Sequence, residues 1–134
     1  MDTTTTTDSK GWGAFILSSD AKEYLLKTFP PKFEKSSYSH ITFGYGISMP
    51  DPIPVANNIN IVGYASNDVI EAVVISVDGN TAREFGGLYH VTLSYDSSKA
   101  VPADSNQLLS NGFTRFSPVN LMKNPKFKFV ELKK

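Results

Sequence analysis

Hydrophobic and polar positions alternate in two short stretches that carry the only two histidines of this 134-residue chain. They read His40-Ile41-Thr42-Phe43 and His90-Val91-Thr92-Leu93. Period-two alternation marks a strand half-buried against a core, with successive side chains on opposite faces. Ile41 and Phe43 therefore turn inward, while His40 and Thr42 share the open face. Val91 and Leu93 stand against His90 and Thr92 in the same way. The two motif strands are expected over residues 39–47 and 88–95.

Around them the pattern predicts one small domain. Residues 11–17 form a short apolar run bounded by glycine, a strand. Ser18-Ser19-Asp20 offers helix caps, Tyr24, Leu25 and Leu26 recur at helical spacing over 21–29, and Pro30-Pro31 ends that helix. Gly44 and Gly46 flank Tyr45 and suggest a bend in the first motif strand. Pro50, Pro52 and Pro54 mark an irregular connection. Residues 59–65 and 69–77, the latter dense in β-branched side chains, read as a hairpin around Ser66-Asn67-Asp68. Asp78-Gly79-Asn80 turns the chain, and Gly86-Gly87 precedes the second motif strand. A short helix is expected over 105–109, capped by Asp104 or Ser105 and stopped by Asn111-Gly112. Residues 118–125 read as loop, and 127–133 alternate as a last strand. This order is α+β, mostly antiparallel with few helices. The motifs lie 50 residues apart in equivalent places of two halves. A two-lobed domain with a central cleft, one motif per lobe, is expected over residues 11–134, after a disordered tail over 1–10.

Composition narrows the function classes. Formal net charge is zero, which argues against a broad electrostatic grip on long nucleic acid. Residues 51–111 are acidic on balance, whereas 113–134 carry Arg115 and five lysines against Glu131 alone. Those lysines are expected to keep a solvated edge strand soluble rather than to hold phosphate. No cysteine is present, so disulfides and thiolate metal sites are excluded, and a reducing, cytoplasmic setting fits. No apolar run approaches the length of a membrane span, and the polar N-terminus lacks the apolar segment of a signal peptide. No membrane partner is expected.

The two motifs carry the chemistry. Serine and threonine occupy 25 of 134 positions, so both histidines would have one two places later in roughly one chain in thirty by composition alone. Hydrolysis of a phosphodiester requires water to lose a proton, the leaving oxygen to gain one, and the non-bridging oxygens to meet fixed donors. Histidine, with an ordinary pKa of about 6.5, does either proton transfer near neutrality. His90 is assigned as the base and His40 as the acid, a direction the sequence leaves reversible. Thr42 and Thr92 are the phosphate-binding hydroxyls. No metal and no cofactor are needed.

These motifs resemble the signature of the 2H phosphoesterase superfamily, two H-x-[ST]-apolar tetrapeptides, and the element order over about 11–133 is similar as well. Tyr89-His90-Val91-Thr92-Leu93-Ser94-Tyr95 followed by Pro102-Ala103-Asp104-Ser105-Asn106 resembles the cyclic phosphodiesterase portions of RNA-repair proteins, including some tRNA ligases. The resemblance implies a two-lobed fold with the four motif side chains in its cleft. It implies metal-independent hydrolysis of cyclic phosphates on nucleotides or RNA ends, of the 2′,3′-cyclic type. It extends equally to small phage members that destroy cyclic di- or oligonucleotide immune messengers (anti-CBASS-like proteins). A non-catalytic nucleotide-binding module is a further alternative, against which the two retained histidines weigh because binding alone does not require them, and a plain adaptor domain leaves the doubled motif unexplained. A small nucleotide or RNA-end substrate and a monomeric state are expected. Tyr45, Tyr64, Tyr95 and Trp12 are candidates to stack on a base, with core packing the competing role for each. Arg83 and Arg115 are the only arginines, and surface placement is expected for both.

Overall fold

A computed structural model describes residues 10–132. The expected tail over 1–10 lies outside them except for Lys10, which opens the first strand. In chain order the elements are β1 (Lys10–Ile16), α1 (Ser19–Thr28), β2 (Lys35–Ser36), β3 (His40–Ser48), β4 (Asn58–Ser66), β5 (Ile70–Val77), β6 (His90–Tyr95), α2 (Ser105–Ser110), β7 (Thr114–Lys123) and β8 (Lys126–Glu131), with a 3-10 turn at Pro102–Asp104. The class is α+β, with two antiparallel sheets and two short helices. One sheet has the order β3-β1-β8 and the other β2-β6-β5-β4-β7, so each sheet contains one motif strand. Among the described residues no helix is long and apolar enough to cross a membrane.

Local chemistry accounts for most boundaries. Ser18 caps α1 by accepting from the Ala21 backbone N–H at 3.1 Å. The hairpin forms as expected between β4 and β5, its turn closed by the Asn67 side chain accepting from the Val69 and Ile70 N–H groups. One expectation fails. Residues 118–123 are not a loop but the end of β7, which includes Pro118, and only residues 124–125 connect to β8. β7 is an edge strand, and its pairing with β4 skips register between Ile61 and Gly63, where Val119 and Arg115 are the opposed residues. Proline is compatible with a strand only at such an edge or irregularity, where no ladder donor is required of it. The lysine-bearing strands β7 and β8 are both edges; β7 is largely exposed, and β8 turns its lysines outward while Phe127 and Phe129 pack against the core.

The sheets meet over one core. Ile41 and Phe43 of β3 pack in the same cluster as Val91 and Leu93 of β6, with Phe15, Ile59, Ile61, Val73 and Ile75 around them. The inward half of each motif thus joins the two sheets. A second cluster, around Val74, Ala72 and Leu109, seats α2 on the opposite face of the larger sheet.

Candidate active site

The backbone between the two sheets fixes where the motifs meet. Lys35 and Ser36 pair with Tyr95 and Ser94, and the N–H groups of Ser37 and Tyr38 continue onto the carbonyls of Leu93 and Thr92 at 2.7 and 3.1 Å. The chain then leaves β6 through Tyr38, which adopts a left-handed φ of 40°, and enters β3 at His40. Tyr38 is held in that conformation by burial and by its hydroxyl, which donates to the Phe29 carbonyl at 2.6 Å. His40 is therefore delivered beside the strand that carries His90.

His40, Thr42, His90 and Thr92 line one cleft of about 300 Å³. Its two motif strands differ in exposure. His40 and Thr42 are half-buried, but His90 and Thr92 are each only 8% exposed. The second strand is shielded on its outer face as well, where Pro102 and Ala103 also line the cleft.

The histidines are poised differently. Nδ1 of His90 lies 2.8 Å from the Leu88 carbonyl oxygen. A carbonyl only accepts, so Nδ1 carries the proton and Nε2 keeps the lone pair in the neutral ring. Burial is the main reason its pKa falls below the ordinary value, with Arg83 and His40 adding in the same direction against the Leu88 hydrogen bond. Nδ1 of His40 lies 2.8 Å from the Ser39 hydroxyl, a partner able to donate or accept, so this ring can carry one proton or two. Burial lowers its pKa as well. Trp12 packs against it, the ring centroids 5.1 Å apart. Thr92 donates to the Pro102 carbonyl at 3.2 Å and lies 2.8 Å from the hydroxyl of Ser105, which is fully buried.

The aromatic candidates separate. Tyr45 lines the cleft and is 71% exposed. Strict alternation puts it on the other face of β3, but Gly13 opposes Gly44 while Ala14 opposes Thr42, leaving Phe43 as the extra residue of a bulge. That bulge turns Tyr45 outward. Trp12 supports His40 rather than lining the cleft. Tyr64 stacks on Phe29 at 5.4 Å and donates to Glu71, and Tyr95 packs at the margin of the second core cluster, so neither reaches the cleft.

Arg83 corrects the surface placement expected of it. It lines the cleft, its Nε donating to the Gly86 carbonyl at 2.8 Å and its Nη2 to the Asn106 side chain at 3.0 Å. Gly86 and Gly87 both have positive φ, and a Cβ on Gly87 would stand 2.6 Å from Arg83 Nη2. The glycine pair is the one sequence signal for this residue. Arg115 does lie on the surface, over the Phe113 ring at 4.7 Å. Phe85, which the sequence did not single out, lines the cleft against the first motif strand and is 52% exposed. No known family model, curated protein or solved structure matches the chain.

Proposed function

We propose that this protein is a phosphodiesterase that opens cyclic phosphates of nucleotides or RNA ends, of the 2′,3′-cyclic type. The observation that carries the proposal is the convergence of both histidines and both motif threonines on one cleft beside an arginine. In the reaction, Nε2 of His90 removes a proton from water as the water oxygen bonds to phosphorus. The bond from phosphorus to one ribose oxygen breaks, and protonated His40 gives that oxygen its proton. Solvent exchange then restores both rings. Arg83 and the hydroxyls of Thr42 and Thr92 meet the non-bridging oxygens. For Thr92 this means turning its single proton from the Pro102 carbonyl to the phosphate, with Ser105 donating in support.

The test is incubation of the protein with 2′,3′-cyclic nucleotides and with cyclic di- and trinucleotides, the products resolved by chromatography. Linear monophosphates from the first class are the predicted result. Cleavage of the messengers alone would move the proposal to signal destruction, and binding without products would leave a nucleotide-binding module.

A further inference from the structure

Arg83, Glu84 and Phe85 are consecutive, and they divide between two adjoining cavities. Arg83 lines the cleft, Glu84 lines a neighbouring cavity of about 580 Å³, and Phe85 lines both. The cleft, at about 300 Å³, is at the small end of ligand sites and has room for one nucleotide. The second cavity is lined by the half-exposed ring of Phe85, with the largely buried Phe43 and Tyr89 behind it, and by three carboxylates, Asp51, Asp78 and Glu84, but no lysine or arginine among the described residues. Its chemistry is opposite to that of the cleft. Its carboxylates accept hydrogen bonds and repel phosphate, and Phe85 offers one flat apolar surface.

Phe85 is held as a shared partition. Its ring meets Phe43 edge-on at 5.6 Å, and it covers Gly44 so closely that a Cβ there would fall 2.9 Å from it. The Asp78 carboxylate is already engaged, accepting from the Asn57 and Asn58 backbone N–H groups at 2.7–3.1 Å. Glu84 and Asp51 have no hydrogen-bond partner among the described residues and can meet a ligand. A carboxylate presents two acceptor oxygens side by side, which matches the paired N–H donors on the edge of guanine.

We infer that this cavity is a second nucleobase subsite, selective for a base with N–H donors, guanine foremost, joined by its sugar and phosphate to the nucleotide in the cleft. The inference rests on the phosphodiesterase reading of that cleft and extends its substrate beyond one nucleotide. Two ligands share this chemistry, an RNA end and a cyclic dinucleotide.

The experiment compares 2′,3′-cyclic CMP, the linear dinucleotide GpC ending in a 2′,3′-cyclic phosphate, and cyclic di-GMP. Hydrolysis is followed by chromatography and binding by calorimetry, in the wild-type protein and in Glu84→Gln. A guanine-bearing ligand should bind and react about tenfold better than 2′,3′-cyclic CMP, and Glu84→Gln should remove that gain while leaving 2′,3′-cyclic CMP turnover unchanged. A gain with GpC alone identifies RNA ends as the source, and a gain with cyclic di-GMP alone identifies the messenger. Hydrolysis with no Glu84-dependent gain for either ligand overturns the subsite. A Glu84-dependent gain in binding without hydrolysis of any substrate supports the subsite and overturns the catalytic reading. Neither binding gain nor hydrolysis overturns both.

Discussion

At the residue scale, the proposed mechanism depends on the protonation of two imidazoles. In the proposed mechanism His90 acts as base only when neutral, so kcat/KM is predicted to fall as pH drops through its pKa. His40 acts as acid only when protonated, so kcat/KM falls as pH rises through its own. Burial lowers both values below the ordinary 6.5. The pH profile of kcat/KM, which reports the free enzyme, is thus predicted to be bell-shaped with its maximum on the acid side of 6.5. A profile that climbs steadily toward pH 9 would contradict the assignment. Arg83 contributes at the same scale. A hydrogen bond to a charged group is worth about 1.5–3 kcal/mol, so Arg83→Ala is expected to lower kcat/KM roughly 10- to 100-fold with little change in thermal stability. Steady-state kinetics beside a melting curve checks both halves of that statement.

Elements convert these residues into a site, and the conversion explains what is legible in the chain. The motif strands are legible because their alternation is set by the core: Ile41, Phe43, Val91 and Leu93 pack together, and the residues between them are left for the cleft. β7 is not legible, because Pro118 is acceptable in a strand only once that strand is known to be an edge. Tyr45 depends on a one-residue bulge that glycines hint at but do not locate. Arg83 is hidden for another reason. Its place in the cleft comes from Gly86 and Asn106, and only folding brings Asn106 to it. Gly87→Ala tests that support. A Cβ there meets the guanidinium in a backbone conformation that disfavours alanine, so the variant is predicted to share the kinetic defect of Arg83→Ala and to lose about 1 kcal/mol or more of stability. Glu71 does comparable work for the approach to His40. It is 1% exposed and accepts from Tyr64, Ser94 and the Lys32 backbone, tying the segment before β2 to the central strands. Glu71→Ala leaves buried donors without a partner and is expected to cost about 2–4 kcal/mol in chemical denaturation.

Across the whole molecule, the two sheets bring residues 50 positions apart onto one cleft. In the proposed mechanism this pairing supplies both proton transfers from imidazoles, so turnover is predicted to survive EDTA. Activity lost to the chelator and restored only by added metal would require a different mechanism. The core that unites the sheets also holds the two motif strands together, so the proposed chemistry needs both strands. The most direct test is therefore the rate of 2′,3′-cyclic nucleotide hydrolysis by the wild-type protein, His40→Ala and His90→Ala, with folding verified by circular dichroism. Measurable wild-type turnover that falls roughly 10²–10⁴-fold in each folded variant is the predicted result. An unchanged rate in either variant would contradict the shared imidazole centre.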